Sequence, residues 1–465
     1  MLFANESELT QHLKGIIALN GESIEIENID KLKNNAIDTL VENSVLNNSS
    51  QIRGLSRFII KSAALQMGIV SSSIQGLYDA RGRDECGGFT VPAINIRGMS
   101  YDFSRSIFRT AHKLNTGAFI FEIAKSEIGY THQQPHEVVG VILGAAIREN
   151  HTGPVFIQGD HFQVNAKNFQ KDKDKEISSL KNLIEKGISA GFYNIDIDTS
   201  TLVDLSKPTV VDQQRANFEV GVELTTYIRA LEPEGLTISV GGEIGEVGKE
   251  NSNENELRTY LDNFNEELRK ANNGARSISK ISIQTGTSHG GVPGPDGKVV
   301  EVNLDFECLE NLSRISRHDY GLAGAVQHGA STLPRNLFNK FPELETAEIH
   351  LATDFQNMIY DHEFFPKDFK EEIYAHLRKK FASEKKEKDT DEQFIYKTRK
   401  KGFGEFKPKF WDLSDEIKTK IGNHLQKRVE SLFTQLKVEN TLEITKKTTS
   451  IVRVPPILNQ EITYA

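Results

Sequence analysis

Cysteine is scarce in this chain of 465 residues, which contains only Cys86 and Cys308. Two cysteines cannot build the disulfide framework on which small secreted domains depend. Residues 1–26 have neither a basic start nor a long apolar run, so we expect no secretory signal there. These absences favour a reducing compartment, and we expect the cytoplasm.

Long hydrophobic runs and an excess of positive charge are also missing. No apolar stretch approaches the roughly 18 residues that a bilayer-spanning helix needs. The 56 Lys and Arg residues are outnumbered by 65 Asp and Glu residues, which gives a net charge of -9. Such a chain has no general attraction for phosphate backbones or anionic lipid. We therefore expect neither nucleic acid nor a membrane as a partner.

Three regions follow one another along a chain of ordinary globular composition. Residues 1–80 carry apolar side chains at irregular helical spacing and predict a helical N-terminal extension. Residues 81–380 alternate short apolar runs with segments of helical periodicity, which is typical of a barrel catalytic domain. Residues 381–465 begin with a charged stretch of mixed sign, interpreted as a solvated linker. An amphipathic helix capped by Asp412 or Ser414 and a partly extended tail follow, docked on the same chain or on a partner subunit.

Eight short apolar or alternating runs lie within the central region. The gaps between them are long enough for a returning helix, as parallel neighbouring strands require. No G-x-G-x-x-G motif follows the first run, which argues against an open Rossmann sheet. The pattern therefore predicts a (β/α)8 TIM barrel of the α/β class. The predicted strands are Phe89–Ile96, Ala118–Ala124, Pro154–Asp160, Tyr193–Asp198, Leu236–Glu243, Ile281–Thr287, Gly324–His328 and Ile349–Thr353.

Polar residues end four of these strands, at the face where the active sites of such barrels lie. Asp160 and His161 end the third strand, Glu243 the fifth, His289 the sixth and His328 the seventh. Three imidazoles and a carboxylate suit a borderline metal such as Zn²⁺, with a position left for a substrate oxygen. A metal site is therefore predicted at the mouth of the barrel.

The motifs, taken in order, resemble those of the class II, metal-dependent fructose-bisphosphate aldolases and their tagatose-bisphosphate relatives. The resemblance spans residues 89–361 and leaves both extensions unaccounted for. It rests on the segments Val91–Asn95, Asp160–His161, Ala190–Phe192, Ile197–Asp198, Glu243–Gly248, Gly286–Gly290, His328–Ser331 and Ala352–Asp354.

The resemblance implies a metal centre with specific ligands. His161, His289 and His328 would hold the catalytic Zn²⁺. Glu243 would be a further ligand or would exchange with a nearby second metal position, and Asp198 would be a second-site metal contact. A monovalent cation is an additional candidate cofactor, and we expect a homodimer or a homotetramer.

The resemblance also implies catalytic and substrate-binding residues. Asp160, directly before a ligand, would be the general acid and base at the C4 hydroxyl of the ketose. Glu250 would exchange the proton on the ketone fragment, and Glu254 is the alternative. Both lie in the loop Lys249–Glu256, which has no apolar residue and is predicted to be mobile. The substrate phosphate would lie after the seventh and eighth strands. The implied substrate-binding residues are Asn95, Gly290, Gly329, Ser331, Thr353 and Asp354.

The implied activity is that of a lyase of carbohydrate metabolism and glycolysis. An enzyme of this kind would cleave fructose 1,6-bisphosphate reversibly to dihydroxyacetone phosphate and glyceraldehyde 3-phosphate. The nearest alternative is tagatose bisphosphate or another phosphorylated ketose, because Ala352 and Thr353 resemble the tagatose branch. A catalytically silent structural or regulatory barrel is the other alternative, favoured by His350 and Lys249, which depart from the family pattern.

Overall fold

The computed structural model describes residues 1–244, 250–286 and 304–465, and the backbone of residues 292–293 and 299–300. Its strands are β1 (Ile17–Asn20), β2 (Ser23–Ile26), β3 (Ile69–Ser72), β4 (Val91–Asn95), β5 (Ile120–Ala124), β6 (Gly153–Gln163), β7 (Asn194–Asp198), β8 (Ser239–Glu243), β9 (Lys280–Ile283), β10 (Val292–Pro293), β11 (Val299–Val300), β12 (Ala325–Gln327) and β13 (Glu348–Leu351).

Helices surround the strands and form most of both extensions. Within the described ranges, no helix is both long and apolar enough to span a bilayer. The α-helices are α1 (Glu6–Leu13), α2 (Ile29–Lys31), α3 (Ile37–Leu46), α4 (Ser50–Gln66), α5 (Gln75–Gly82), α6 (Ser100–Lys113), α7 (Lys125–Tyr130), α8 (Pro135–Arg148), α9 (Ala166–Lys171), α10 (Lys173–Ala190), α11 (Val210–Ala230), α12 (Glu254–Ala271), α13 (Phe306–His318), α14 (Lys340–Glu343), α15 (Thr353–Tyr360), α16 (Lys367–Lys380), α17 (Asp391–Thr398), α18 (Gly402–Glu405), α19 (Lys407–Trp411), α20 (Asp415–Gln435), α21 (Leu442–Thr448) and α22 (Leu458–Thr463).

Eight parallel strands close into a barrel, in the order β4, β5, β6, β7, β8, β9, β12, β13 and back to β4. Each of them falls on one of the predicted apolar runs, so the predicted (β/α)8 barrel is confirmed. The runs are apolar on both faces because helices cover the outside of the sheet. The register pairs Ala124 with Asp160 and Glu243 with Ser282, which brings the polar strand ends to one mouth.

The barrel interior contains a buried layer of charged and amide side chains, where branched apolar residues are usual. Lys280 on β9 donates from Nζ to Oε1 of Gln158 at 2.8 Å and pairs with Oδ2 of Asp196 at 3.0 Å. It also pairs with Glu348 on β13, which accepts from the hydroxyl of Tyr78. Burial alone would raise the pKa of Glu348, but the Lys280 ammonium lowers it to about 2. The ionised pair therefore persists in the interior.

The N-terminal extension is mainly helical, as expected, with two additions. β1 and β2 form an antiparallel hairpin, and β3 pairs in parallel with the start of β6, from Ile69 opposite Gly153 onward. A side chain at Gly144 of α8 would collide with Val41 of α3, so the extension packs closely on a barrel helix. The extension is thus part of the same hydrophobic core as the barrel.

The charged stretch after the barrel is exposed at residues 382–388, but its remainder is not the solvated linker that its composition indicates. It folds into α17, α18 and α19, in which Phe394, Phe403 and Phe410 are buried. A Cβ atom at Gly98 would lie 2.1 Å from the ring of Phe403, so the segment packs directly on the loop that follows β4. Its aromatic side chains decide its position, because burying each contributes about 2 kcal/mol while its charged side chains can remain at the surface.

The amphipathic helix is confirmed as α20, and Ser414 is its cap. The hydroxyl of Ser414 accepts from the amide of Ile417 at 3.4 Å. The apolar stripe, including Leu425 and Val429, is buried. The hydroxyl of Ser106 on α6 donates to the carbonyl of Gly422 at 3.1 Å, so α20 covers a barrel helix of its own chain.

The tail docks on the N-terminal extension of the same chain. Lys61 on α4 donates to Oε1 of Glu461 at 2.5 Å, and Nδ1 of His136 lies 2.9 Å from Oε2 of the same carboxylate. Arg57 donates to the carbonyl of Tyr464 at 3.2 Å. Burial alone would raise the pKa of Glu461, but Lys61 and His136 lower it. Buried charges therefore join α4 of the N-terminal extension to α22, the last helix.

Glu461→Ala should lower the free energy of unfolding by about 3 to 5 kcal/mol, because Lys61 would keep a buried charge without its carboxylate. Urea denaturation followed by circular dichroism measures the change. The matched control is Glu443→Ala on α21, which removes an exposed pair with Lys446 and should change stability by no more than about 0.5 kcal/mol. Equal effects of the two variants would show that the buried contact does not hold the tail.

Candidate active site and metal centre

A cavity of about 530 Å³ opens at the carboxyl ends of the barrel strands, a size suited to a small phosphorylated metabolite. Its described lining combines polar residues at the strand ends with basic residues from beyond the strands. The first group includes Asn95, Asp160, His161, His328 and His350, and the second Arg97, Lys125 and Lys400.

His161 reaches the cavity through a bulge in β6. Its backbone is left-handed, with φ of 41°, and Asp160 and His161 together lie opposite a single residue of β7. A Cβ atom at Gly159 would lie 2.5 Å from the ring of Phe162, so the bulge requires glycine there. Nδ1 of His161 lies 3.0 Å from Oδ2 of Asp198, and this contact fixes the orientation of the imidazole ring.

Two carboxylates face Nδ1 of His161. Oδ2 of Asp198 lies 3.0 Å away and Oε2 of Glu243 lies 3.4 Å away. Burial and the neighbouring Asp198 raise the pKa of Glu243 to about 7, so two adjacent negative charges are unfavourable here. Donor atoms of the three residues lie within 4.8 Å of one another. A divalent cation would relieve this concentration of charge, and the donor set fits a metal.

His328 lies directly after β12, beside His161. The centroids of the two imidazole rings are 4.2 Å apart, and Nε2 of His328 lies 2.9 Å from Oγ of Ser282. Asp160, His161 and His328 form a second group whose donor atoms lie within 4.8 Å of one another. The predicted residues His289 and Gly290 lie outside the described residues. Two predicted histidine ligands are therefore adjacent, and a carboxylate oxygen of Asp160 lies close to both.

Asp160 is a buried carboxylate with two polar partners. Nδ2 of Asn95 donates to its Oδ2 at 3.2 Å, and Nδ1 of His350 lies 3.1 Å from its Oδ1. Burial alone would raise the pKa of Asp160, but His161 and His350 lower it well below its usual value. The group is thus ionised and held in one orientation at the floor of the cavity.

His350 connects Asp160 to the buried layer below. Its Nε2 lies 2.7 Å from Oε1 of Glu348, while Nδ1 faces Asp160. Burial alone would lower the pKa of His350, but Glu122 and Asp160 raise it well above the usual value. An imidazole that donates from both nitrogens is cationic and has no lone pair for a metal. From the sequence, His350 was noted only as a departure from the family; its place at a strand end was the available signal.

The residues predicted to bind phosphate line the cavity, with one exception. Gly329 has a left-handed φ of 69°, the hydroxyl of Ser331 accepts from a backbone amide at 2.7 Å, and Thr353 begins α15. Asp354 is not among the described lining residues. Its Oδ2 accepts from Nε of Arg428 on α20 at 2.6 Å, so this carboxylate holds the C-terminal extension.

Arg97 and Glu127 connect three strand ends and were not singled out from the sequence. Nε of Arg97 pairs with Oε1 of Glu127 at 2.5 Å, and its Nη1 donates to Gln356 at 2.9 Å and to Thr353 at 3.4 Å. Oε2 of Glu127 accepts from Nδ2 of Asn95 at 2.8 Å. The available signal was position, since Arg97 lies two residues beyond Asn95 at the end of the first barrel strand.

The acidic segment after β8 differs from the predicted loop at its far end. α12 begins at Glu254, and Asn253 and Glu256 form a capping box with backbone contacts of 3.1 and 3.0 Å. Glu254 pairs with Arg258 at 2.8 Å. Residues 254–256 therefore belong to a helix and not to the predicted loop. Glu250 is exposed and is not among the described lining residues of the cavity.

Solved structures resemble the chain at low sequence identity, and no protein of curated function matches it. A fructuronate-tagaturonate epimerase from Cohnella laeviribosi is 10% identical to this chain, with a TM-score of 0.52. The alignment covers 92% of this chain and 90% of the epimerase chain. A probable tagatose 6 phosphate kinase from Sinorhizobium meliloti 1021 is 13% identical, with a TM-score of 0.50, and the alignment covers 80% of this chain and 97% of the kinase chain. A fructose-bisphosphate aldolase from Campylobacter jejuni is 17% identical, with a TM-score of 0.46, and the alignment covers 80% of this chain and 96% of the aldolase chain.

A family model accounts for the greater part of the chain. The model for fructose-bisphosphate aldolase class II matches residues 83–408, which contain the whole barrel and the strand-end residues described above. The match agrees with the resemblance carried by the sequence motifs. The chain belongs to the class II fructose-bisphosphate aldolase family.

Proposed function

We propose that this protein is a metal-dependent aldolase that cleaves and forms a phosphorylated ketose, with fructose 1,6-bisphosphate as the default substrate. The observation that carries the proposal is the carboxylate of Asp160, held by Asn95 and His350 directly beside His161. A purely structural metal site has no need of a base in that position. Membership of the aldolase family supports a lyase.

The metal proposed is Zn²⁺, held by His161 and His328, with Glu243 as a further ligand and His289 added by the family resemblance. When bound, the ion supplies a Lewis acid for the ketone oxygen. Asp198 is proposed to orient His161 and to contact a second metal position, since donor atoms of Asp198, His161 and Glu243 lie within 4.8 Å of one another. A carboxylate behind a ligating histidine commonly fixes the ring and its tautomer.

Asp160 removes the proton of the C4 hydroxyl as the bond between C3 and C4 breaks. The oxygen at C4 becomes the aldehyde carbonyl, and the electron pair of the broken bond remains on the ketone fragment. In the direction of synthesis the same carboxyl group returns the proton. Asn95 fixes the carboxylate by a hydrogen bond of 3.2 Å, so the base is in place before the substrate enters.

The contacts of Lys280, the lysine of the barrel interior, do not favour a Schiff-base route through its amine. Nζ of Lys280 is bound to Gln158, Asp196 and Glu348, and Lys280 is not among the described lining residues of the cavity. Burial alone would lower the pKa of Lys280, but Asp196 and Glu348 raise it. A protonated amine is not a nucleophile, so this lysine serves the structure.

A second candidate function is inversion at C4 of a keto sugar or keto sugar acid. The epimerase structure covers 92% of this chain, so the shared fold extends over most of the residues outside 83–408. Cleavage followed by re-addition of the aldehyde through its other face inverts C4 with the same acid and base. The two functions differ in whether the aldehyde leaves the cavity.

Product analysis separates these functions. Release of dihydroxyacetone phosphate from fructose or tagatose 1,6-bisphosphate, abolished by a chelator, would support the aldolase and identify the preferred C4 configuration. Interconversion of fructuronate and tagaturonate without release of either fragment would support the epimerase. No turnover by metal-loaded protein on any of these compounds would support a silent structural or regulatory barrel.

The cellular setting follows from the same proposal. We propose a cytoplasmic homodimer or homotetramer, with a monovalent cation as an additional cofactor of the metal centre. Sedimentation equilibrium measures the oligomeric state. Activity in potassium, sodium and tetramethylammonium buffers of equal ionic strength measures the cation requirement.

His328→Ala should remove most of the bound zinc and abolish turnover, because an open site that loses one ligand loses much of its affinity. Metal analysis of purified protein gives the first result independently of the second. The control is His424→Ala, which removes an exposed histidine of α20 and should leave zinc content unchanged. Full zinc occupancy in the His328 variant would show that the ligand assignment is wrong.

Asp160→Asn should lower the cleavage rate by about two to four orders of magnitude, the usual effect of a positioned acid and base. The amide has the shape of the carboxylate, so zinc content and the unfolding temperature should stay close to those of the parent protein. Steady-state kinetics, metal analysis and thermal unfolding check the three expectations. Normal turnover in this variant would mean that Asp160 only orients its neighbours.

Glu250→Gln should slow the exchange of the C3 proton of dihydroxyacetone phosphate with solvent, because we propose Glu250 as the carboxylate that moves this proton. Exchange in deuterium oxide followed by NMR reports this step without the aldehyde. The matched control is Glu254→Gln, since Glu254 is engaged with Arg258 on α12 and should matter less. An exchange rate unaffected by both substitutions would place the base elsewhere.

A further inference from the structure

Lys400 belongs to the C-terminal extension, yet its side chain lines the cavity above the strand ends. It lies in the turn Arg399–Lys401, which joins α17 to α18. Its Nζ is 5.2 Å from the centroid of the ring of Tyr130, which lines the same cavity. The extension therefore brings a positive charge to the proposed active site.

The two neighbours of Lys400 in the turn have partners elsewhere. Nη1 of Arg399 pairs with Asp361 at 3.0 Å, and Lys401 pairs with Glu384. Among the residues that the structure describes, Lys400 has no carboxylate within ion-pairing distance. Burial and the nearby Arg97 lower the pKa of Lys400, and the more distant carboxylates of Glu127 and Glu384 offset this only in part.

The other described arginine and lysine side chains that line the cavity already have hydrogen-bonding or ion-pair partners. Arg97 pairs with Glu127 at 2.5 Å, and Nζ of Lys125 donates to the carbonyl oxygen of Gln163 at 2.7 Å. Lys400 is thus a cation of the cavity with no direct carboxylate partner among the described residues. An ordinary surface lysine would be surrounded by water, whereas this one is half-buried against an aromatic ring.

We propose that Lys400 binds an anionic group of the substrate, a phosphate or a carboxylate, in the part of the cavity between Arg97 and Tyr130. The inference rests on the proposed function, because it takes the cavity to be the substrate site. An oxyanion there accepts a charge-assisted hydrogen bond from Nζ and serves as the counter-ion. Lys400 then selects anionic ketoses over neutral ones, and the C-terminal extension takes part in specificity.

Anion binding tests the proposal without turnover. Titration calorimetry on the full-length, metal-loaded protein with inorganic phosphate and with D-glucuronate compares the two anion chemistries. Lys400→Met should weaken binding of the preferred anion by about tenfold or more, and Lys400→Arg should restore most of it. Lys401→Met is the matched control, since it removes the same charge one residue away and should bind both anions as the parent protein does.

Kinetics separate this inference from the proposed function. With an active protein, Lys400→Met should raise KM for the anionic ketose about tenfold or more and change kcat little, as for uniform binding. If the parent protein shows no turnover but Lys400→Met loses anion binding, the proposed function fails and the assignment of Lys400 stands. If Lys400→Met unfolds, Lys400→Gln replaces it with the same expected loss. Unchanged affinity for both anions in the folded variant would overturn the assignment.

Discussion

The ammonium group of Lys280 holds together buried carboxyl groups that would otherwise repel one another. It pairs with Asp196 and Glu348 in an interior from which water is excluded. Charges in such surroundings are tolerated when they are paired, because removing an ion from water costs several kcal/mol. Glu348 in turn fixes His350, and His350 fixes Asp160. The orientation of the proposed base therefore depends on an ion pair two side chains below it.

The cavity above this layer separates charges of opposite sign. Its strand ends carry Asp160, Asp198 and Glu243, and burial together with the neighbouring Asp198 raises the pKa of Glu243. The loops and the C-terminal extension add Arg97 and Lys400. The proposed phosphorylated ketose is complementary to this arrangement. Its metal-binding oxygens would face the metal at the strand ends, and its anionic group would face the basic residues. Electrostatic complementarity of this kind fixes the orientation of a substrate before any bond breaks.

The barrel and its strand-end residues were predictable because their signals are local. A short apolar run followed by Asp160 and His161, or by His328, needs no knowledge of distant residues. The buried layer was not predictable, since Lys280 and its partner Glu348 lie 68 residues apart and each lies at the edge of an apolar run. His350 presented the same difficulty, because its importance comes from neighbours on other strands.

Composition predicts a solvated linker for the charged stretch because a count of charges reports the exposed side of a segment. It does not identify the side chains that pack against the rest of the protein. Phe403 lies against Gly98, and its ring centroid is 4.9 Å from that of Tyr360 and 5.0 Å from that of Phe410. Arg399 stacks over Tyr360 at 5.8 Å and so fixes the turn that carries Lys400. A cation on a solvated linker would lose side-chain and backbone freedom on meeting an anion, whereas this one is already in place. The aromatic packing of the extension is thus what allows a residue far beyond the last barrel strand to act in the cavity.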